Sequence, residues 1–411
     1  MKRPSVLVTH PWMSRGGSEA TAMWTLQALL DDYDLTFVTA APLDDGEWEK
    51  LNRAYGTRVD PARLRYVKAP VLPGVNGPLR LAHLQVRRFE RFCHGLAPGF
   101  DLCLSAYNPV WFGRPAIQLL GDFSFSEEMR RRLNARTDAP LRHRATPLRH
   151  LYLKVGDWIE VDQPPLCERG DLLLANSAWA ARQLEEHFRV GTPGVLHPPV
   201  PLPSSSRDEA QAGDVRDPLS FVCLGRVVPE KEIERMVSIL ARVRELGFPV
   251  TFTIVGDFGQ SDYGREVARH IERQGDWIAT PGFLTMEEKR RTLCSHTFAL
   301  HACRIEAFGI AVAEMAAMGC VPFVPSSGGA GEIVPFPELQ FESDDEAVAK
   351  ITALLRDPAR VRELSGLLPG QVARFSPERF VERLRDYVQD FLLAPARPAH
   401  EIVPENLPAA L

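Results

Sequence analysis

The sequence lacks several features that would have pointed to particular protein classes. No stretch contains 18 consecutive apolar residues, so the sequence predicts no membrane-spanning helix. The apolar run near the start is too short for a secretory signal, since it reads "MKRPSVLVTHP". A net charge of −5 is too small to indicate nucleic acid as a partner. We therefore expect a cytoplasmic protein that is soluble or attached to the inner face of a membrane only at its surface.

Residues that would indicate a bound cofactor or metal are also missing. The seven cysteines are scattered, with no C-x-x-C pair and no metal-ligand spacing, which suits a reducing compartment. No D-x-D pair lies in a metal-holding context, and we predict that no metal is required. The glycine loop after the first predicted strand lacks the third glycine of G-x-G-x-x-G, so a nicotinamide cofactor is not indicated.

Short β-branched runs alternate with longer amphipathic segments along most of the chain. This alternation is typical of βα units and a parallel sheet, and it predicts an α/β fold. The predicted strands are 5–10, 34–40, 63–69, 101–106, 116–122, 171–177, 220–226, 250–256, 297–302 and 321–326. Predicted helices include 18–30, 178–188, 231–246 and 310–318.

A polar segment rich in proline and serine separates the two series of strands. It covers residues 201–218 and reads "PLPSSSRDEAQAGDVRDP", which indicates a linker. The sequence thus predicts a first domain at 1–200 and a second at 219–375. A final helix is expected at 376–393, with Ser376 as N-cap and Pro377 at its first position, before a tail at 394–411.

The first candidate ligand site is a glycine loop between a strand and a helix, "HPWMSRGGSEATAM" (10–23). Gly16 and Gly17 allow a ligand to approach the backbone, and the following helix would direct free N–H groups at an anion. A tight turn with Ser18 as N-cap explains the same residues without a ligand.

The second candidate is a pair of basic residues that follow the predicted strand 220–226, in "LGRVVPEKEIERMV" (224–237). Side chains at the carboxyl ends of parallel strands point into the crevice where such folds bind ligands. Arg226 and Lys231 could there neutralise a diphosphate. The alternative is a solvated turn in which they pair with Glu230 or Glu232.

The third candidate is "HACRIEAFGIAVAEMAAMGCVPFVPSSGGAGEIV" (301–334). Glu306 lies on a loop, and Glu314 lies on the next helix among small apolar residues. Carboxylates in such places need hydrogen-bond donors, for which sugar or ribose hydroxyls are suited, and the helix N-terminus near Ile310 offers N–H groups to a phosphate. A Glu satisfied by a neighbouring Arg is the other explanation.

Together these segments resemble the GT-B glycosyltransferases, specifically glycosyltransferase family 4. The chain has the Gly-Gly loop, a "GR-x-x-P-E-K" segment (225–231) and E-x(7)-E (306–314), with "ANS" (175–177), "PPV" (198–200), "IVGD" (254–257) and "GGAGEIV" (328–334) in the matching order. The resemblance implies two Rossmann-like domains facing each other across a cleft. It also implies a retaining, metal-independent transfer of a hexose-type sugar from a nucleotide sugar, with a UDP- or GDP-sugar as the expected donor. The helix 376–393 would pack back on the first domain.

The resemblance also assigns expected roles to individual residues. Arg226 and Lys231 would hold the diphosphate, and Glu306 the transferred sugar. Glu314 would bind the ribose. The other expected donor contacts are Gly16, Gly17, Gly282, Phe283, Phe308, Gly309 and Ile310, those around 308–310 through the backbone.

One position departs from the family pattern. Many members carry a His at the end of a middle strand of the first domain, near the reacting sugar. This sequence has Gly121 there, followed by Asp122. The contact that this His makes near the reacting sugar would then be absent, or it would be made by Asp122 or by another residue such as His10.

The acceptor is left open as a glycan, a lipid-linked sugar or a small molecule. Segment 127–154 holds eight Arg or Lys against three Asp or Glu, which suits contact with an anionic membrane or simply a solvated helical face. The segment around Glu306 is also similar to mannosyltransferases of lipid-linked oligosaccharides. Two other functions stay open: a GT-B sugar-nucleotide epimerase or hydrolase, and a non-catalytic partner subunit that binds a nucleotide sugar.

Overall fold

The chain divides into two compact units. The structure, a computed structural model, describes residues 3–13, 16–71, 81–133, 147–159, 161–200, 216–259 and 261–394. The first unit consists of Met1–Pro199 together with Pro377–Leu411, and the second of Val200–Ser376. Each unit is built on its own parallel sheet.

The described part of the first unit contains a seven-stranded parallel sheet in the order β3-β2-β1-β4-β5-β6-β7. Its strands are β1 (Ser5–Thr9), β2 (Asp34–Thr39), β3 (Arg65–Lys68), β4 (Leu102–Ser105), β5 (Ile117–Leu120), β6 (Leu172–Ala175) and β7 (Gly194–Val195). The central strands are apolar and buried along nearly their whole length, because helices cover both faces of such a sheet.

The helices of the first unit follow the strands in sequence. They are α1 (Gly17–Leu29), α2 (Asp45–Tyr55), α3 (Ala82–Leu96), α4 (Glu127–Leu133), α5 (Pro147–Ile159) and α6 (Ala178–Phe188), with 3-10 turns at Pro61–Arg63, Ala97–Gly99 and Leu166–Glu168. The last helix of the chain, α14 (Pro377–Leu393), belongs to this unit. Its Phe380, Leu384 and Val388 are buried with residues of α1 and β1, and Arg385 Nε donates to the carbonyl oxygen of Ala28 at 2.7 Å.

The second unit repeats the same plan with six parallel strands among its described residues, in the order β10-β9-β8-β11-β12-β13. The strands are β8 (Asp217–Leu224), β9 (Thr251–Val255), β10 (Ile278–Gly282), β11 (His296–Leu300), β12 (Val321–Pro325) and β13 (Gln340–Phe341). Phe221, Phe298 and Phe323 stack across β8, β11 and β12 in its core.

Helices cover this second sheet as well. They are α7 (Ile233–Glu245), α8 (Asp262–Glu272), α9 (Met286–Ser295), α10 (Ile310–Ala317), α11 (Ala330–Ile333), α12 (Asp344–Leu355) and α13 (Pro358–Val372), with 3-10 turns at Pro229–Lys231, Pro337–Leu339 and Ala373–Phe375. α10 has small, apolar residues on nearly every side, so it packs closely against the sheet and is mostly buried.

The predicted fold class is confirmed, and both sheets have the strand order of doubly wound nucleotide-binding folds. Three strands were missed: β7 and β13, which have two residues each, and β10, whose last residues Pro281 and Gly282 were predicted as a loop. The helix predicted from 231 begins at Ile233 instead, since Lys231 ends a 3-10 turn.

The predicted linker was too long at its C-terminal end. Asp217 and Pro218 are the first residues of β8, and Arg216 before them donates to the carbonyl oxygen of Leu293 at 3.0 Å. Residues 201–215 and the tail from 395 lie outside the described residues. Within the described ranges, no helix is long and apolar enough to cross a membrane.

Candidate functional site

The best-supported site of the second unit lies at the carboxyl ends of β8 and β11. These strands are neighbours at the point where the strand order reverses, because β9 and β10 lie on one side of β8, and β12 and β13 lie beyond β11. Ligands of doubly wound sheets bind at such a reversal, in the crevice outside the carboxyl ends of the strands. The segment after β8 carries Arg226 and Lys231, and the segment after β11 carries Glu306.

Lys231 and Glu306 form an ion pair that joins these two segments. The ammonium of Lys231 donates to Glu306 Oε2, and the two side chains are 24% and 18% exposed. Burial by itself would lower the pKa of Lys231, but the adjacent carboxylate outweighs burial and raises it. Burial would raise the pKa of Glu306, and the charge of Lys231 lowers it instead. Both groups are therefore charged at neutral pH, and the alternative pairing of Lys231 with Glu230 or Glu232 is not the observed one.

Two further side chains lie beside this pair on the segment after β11. His301 is 4% exposed, and its Nε2 is 3.4 Å from Glu306 Oε2. Burial lowers the pKa of this imidazole to about 4, so it is neutral at physiological pH. Cys303 is also buried, and burial raises the pKa of its thiol to about 12.

The loop that carries Glu306 is held in place by the turn after β8 and by the first turn of α7. Arg304 Nη2 contacts Glu232 Oε2 at 2.9 Å, and Arg235 Nη1 donates to the carbonyl oxygen of Ala302 at 3.0 Å. These contacts act together with the Lys231–Glu306 pair, so three links fix one loop against the other. Such bracing favours a preorganised site, because little freedom remains to be lost when a ligand binds.

The "GGAGEIV" segment also holds this loop. Gly329 N donates to the carbonyl oxygen of Glu306 at 2.7 Å. A Cβ atom at Gly329 would lie 2.0 Å from the carbonyl oxygen of Ala307, so a residue without a side chain is required for the two backbones to approach. Gly329 therefore supports the loop and is not only part of a turn.

The helix that follows, α10, begins beside Glu306 and carries Glu314. Gly309 caps it with φ of 103°, a left-handed conformation suited to glycine, and a Cβ there would lie 3.4 Å from Glu306 Cγ. The first N–H groups of α10, from Ile310 onward, begin next to this carboxylate. The side chain of Phe308 is buried edge-on against Phe375, so only its backbone is available to a ligand.

Glu314 has a partner that the sequence did not predict. Lys289 Nζ on α9 donates to Glu314 Oε1 at 2.7 Å, and each side chain is 23% exposed. The partner is thus a Lys and not the neighbouring Arg considered above. A carboxylate has about four lone-pair sites, so this contact leaves capacity for hydroxyl donors.

The other predicted residues of the second unit lie at its surface. Arg226 follows β8 and is exposed. Gly282 ends β10 with φ of 78°, and Phe283 directly after it is 68% exposed. Lys231, Glu306 and the α10 N-terminus are therefore brought together, whereas Arg226 and Phe283 present accessible side chains at nearby strand ends.

The remaining predicted residues lie in the first unit, at the ends of β1 and β5. Gly16 is the N-cap of α1 and Gly17 its first residue, and Gly16 N donates to Tyr55 Oη at 3.0 Å. Ser18 is therefore not the N-cap. His10 follows β1 and is 1% exposed, and within the part of the chain that the structure describes neither of its ring nitrogens has a hydrogen-bond partner. Burial lowers its pKa.

Asp122 is engaged by its own neighbours. Tyr107 Oη donates to Asp122 Oδ2 at 2.9 Å, and Asn108 Nδ2 donates to Asp122 Oδ1 at 2.8 Å. The ring of Tyr107 fills the space beside Gly121, because a Cβ atom at 121 would lie 2.7 Å from Tyr107 Cδ2. A His at position 121 therefore has no room while this ring stays in place. Burial and the adjacent carboxylate raise the pKa of Tyr107 well above its ordinary range.

Four members of these sites were not predicted from the sequence: Tyr107, Lys289, His301 and Cys303. Tyr107 could have been found, since polar residues directly after a predicted strand were the signal used elsewhere. Cys303 likewise directly follows a predicted strand (297–302), whereas His301 lies inside that predicted strand and only follows the observed β11. Lys289 carries no such signal, because "MEEKRR" is typical of a solvated helix.

The second unit is similar in sequence to known proteins. Residues 218–357 match the family model described as "Glycosyl transferases group 1". A curated relative is the GPI3 subunit of phosphatidylinositol N-acetylglucosaminyltransferase from Saccharomyces cerevisiae (strain YJM789). It is 27% identical over 134 residues, which is 32% of this chain and 29% of the relative. The chain thus matches less than a third of the relative's length.

Solved structures extend the similarity of fold to nearly the whole chain. Sucrose-phosphate synthase from Thermosynechococcus elongatus has a TM-score of 0.71 at 16% identity, and covers 95% of this chain and 100% of its own. HepE from Anabaena, solved in complex with UDP and glucose, has a TM-score of 0.65 at 16% identity, with 94% and 100% covered. The fold of this chain, like that of these neighbours, is GT-B.

Proposed function

We propose that this protein is a glycosyltransferase that transfers a hexose-type sugar from a nucleotide sugar to a hydroxyl of a glycan, lipid-linked or small-molecule acceptor. The observation that carries the proposal is the Lys231–Glu306 pair at the strand-order reversal of the second sheet. This pair sets a fixed cation and a fixed carboxylate side by side. A nucleotide sugar carries a diphosphate next to sugar hydroxyls, so it would complement both charges. HepE, solved with UDP and glucose, and the family match at 218–357 support this choice of ligand.

Each group has a distinct role in this proposal. An ammonium has three N–H donors, so Lys231 can bind a phosphate oxygen while one donor stays on Glu306. Arg226 and the first N–H groups of α10 would share the charge that develops on the departing diphosphate. Glu306 would accept hydrogen bonds from the transferred sugar, and Glu314, held by Lys289, from the ribose.

We further propose that the reaction needs no metal and retains the anomeric configuration. Fixed cations and a helix terminus supply the charge stabilisation that a metal gives elsewhere. Retention is an expectation from the family resemblance. NMR of the first-formed product would test it, because the anomeric proton signal reports the configuration of the transferred sugar. A product with the configuration opposite to that of the donor would contradict retention.

A donor screen tests the proposal as a whole. Purified protein would be given UDP-, GDP-, ADP- and dTDP-sugars, with lipid-linked and soluble acceptors, in the presence of EDTA. We expect release of nucleoside diphosphate from a UDP- or GDP-sugar that depends on an acceptor. Release independent of acceptor would instead indicate a hydrolase or epimerase. Donor affinity without turnover against any acceptor would indicate a non-catalytic subunit.

The first unit carries a surface suited to an anionic membrane, and we infer that it brings the enzyme to a lipid-linked acceptor. Leu151, Val155 and Trp158 of α5 are 60%, 38% and 86% exposed. Their i, i+4, i+7 spacing places them on one face of the helix, and the exposed Lys154 lies beside them. The opposite face packs on α3, where Tyr152 Oη accepts from His83 N at 3.0 Å.

Vesicle co-sedimentation tests this membrane contact. The predicted basic segment 127–154 includes α4 and the start of α5, whereas its residues 134–146 lie outside the described residues. We expect binding to vesicles with anionic lipid but not to neutral ones. Trp158→Glu should lower the affinity for the anionic vesicles at least tenfold. Leu246→Glu is the matched control, because Leu246 is 58% exposed in the second unit. Equal binding of both variants would contradict the inference.

A further inference from the structure

The loop after β11 brings together three side chains that are metal ligands in other proteins. The ligating atoms of His301, Cys303 and Glu306 all lie within 4.8 Å of one another. Imidazole nitrogen, thiolate sulfur and carboxylate oxygen form a donor set that suits zinc, and the thiolate disfavours magnesium and calcium. The spacing H-x-C-x-x-E is not one of the usual zinc spacings, so the sequence alone did not indicate this cluster.

A buried ring nitrogen of His301 points into the same cluster. His301 is 4% exposed, and among the residues that the structure describes its Nε2 has no hydrogen-bond partner. This nitrogen is 3.4 Å from Glu306 Oε2, so it faces the carboxylate. The backbone of His301 is fixed, since its N–H donates to the carbonyl oxygen of Phe323 at 2.9 Å. A buried polar atom left unsatisfied is unfavourable, and a metal ion would satisfy it.

The cluster already has a cation at its edge. The ammonium of Lys231 is paired with Glu306, so a metal that takes the carboxylate must displace it. We propose that His301, Cys303 and Glu306 form a site for zinc or a similar soft divalent ion, and that this ion competes with Lys231 for Glu306. Binding breaks the Lys231–Glu306 contact and forms bonds from the metal to nitrogen, sulfur and oxygen. The Cys303 thiol releases its proton to solvent, while Lys231 keeps its own.

Competition at Glu306 has a consequence for activity that rests on the proposed function. A metal there would remove the carboxylate from the transferred sugar and release Lys231 from its fixed position. Zinc would therefore inhibit transfer, even though transfer itself needs no metal. Metal binding as such does not depend on the proposed function, and it can be measured without any substrate.

Titration with Co²⁺ tests the site directly. Cobalt bound to a thiolate gives a charge-transfer absorption band in the near ultraviolet. We expect this band in the wild-type protein, its loss in Cys303→Ser, and its retention in Cys294→Ser, a control at another buried cysteine of the second unit. Lys231→Met should bind Co²⁺ at least tenfold more tightly, because the competing cation is gone. His301→Asn, which keeps the cysteine, should weaken binding at least tenfold.

Several results would overturn the proposal. One is the absence of a thiolate band in both the wild type and Lys231→Met. Another is a band that persists in Cys303→Ser. A third is the same Co²⁺ affinity in the wild type and in Lys231→Met. Circular dichroism melting of each variant shows whether it is folded. If a nucleotide sugar is turned over, Zn²⁺ should inhibit, and EDTA should restore the rate. If no turnover is found, the proposed function fails, while the cobalt titration still decides on the metal site.

Discussion

Replacement of Lys231 by Met gives the most direct test of the site. The substitution keeps the length of the side chain and removes its charge. Two unit charges about 4 Å apart interact by roughly 4 kcal/mol at an effective dielectric constant of about 20. Desolvation cancels part of this, so we expect a loss of roughly 1.4–2.8 kcal/mol in binding a diphosphate, which is a 10- to 100-fold weaker affinity. Sugar transfer should fall by roughly 100-fold or more, as when a preorganised charge contact is removed.

The assay separates the diphosphate from the rest of the nucleotide. Calorimetric titration with UDP and with uridine, or with GDP and guanosine, would be compared between wild type and Lys231→Met. We expect the diphosphate to lose affinity and the nucleoside to keep it, because only the former contacts Lys231. Diphosphate affinity within threefold of the wild type would refute this assignment of Lys231.

A matched control guards against a general effect of losing an ion pair. Lys350 pairs with Glu346 at 2.7 Å, the side chains are 27% and 36% exposed, and both belong to the second unit outside the site. Lys350→Met should leave nucleotide affinity unchanged. Lys231→Met should also lose roughly 1–3 kcal/mol of unfolding free energy, less than for a fully buried pair, since solvent screens both side chains in part. Urea unfolding measures that loss.

Three further predictions concern packing and pH. Gly121→His should lose roughly 1–3 kcal/mol of stability in urea because the introduced imidazole would clash with the Tyr107 ring. In a protein that already carries Tyr107→Ala, Gly121→His should cost no further stability. The same loss in both backgrounds would contradict the clash. Gly329→Ala should lower both stability and nucleotide affinity because its Cβ meets backbone. A Cβ at Gly366 would lie within 4 Å of no described atom beyond its chain neighbours and its own helix backbone, so Gly366→Ala should be neutral or stabilising. Burial raises the pKa of Asp171 from 3.8 to about 7, so the folded state binds the proton more tightly, and stability should fall as pH rises from about 4 to about 7. Asp171→Asn should flatten that slope in melting experiments, and an unaltered slope would exclude Asp171 as its source.

The local elements followed from the sequence because each has a local cause. The ten predicted strands all appear, with ends within two or three residues, since each is a short apolar run bounded by turn residues. β10 was missed because it contains Pro281 and Gly282, which favour a loop. β7 and β13 are pairs of residues added at a sheet edge, and so short a stretch has no detectable period.

The composition of the site was only partly predictable. Glu306, Lys231 and the glycine pair at 328–329 were marked by their place after strands and by the family resemblance. The partners of the two glutamates were not, because a side chain's partner depends on which strand ends are neighbours in space. Lys231 and Glu306 are 75 residues apart, and Lys289 and Glu314 are 25 apart on different helices.

By itself, the sequence determined the alternation of strands and helices, the α/β class, and the residue types offered to a ligand at the ends of the strands. These depend on local periodicity and on residue chemistry. Only the tertiary structure decided that β8 lies next to β11, so that Lys231 meets Glu306, and that the Tyr107 ring fills the space beside Gly121. The physical reason is that strand order and side-chain packing follow from burial of the whole sheet, and no short stretch of sequence contains that information.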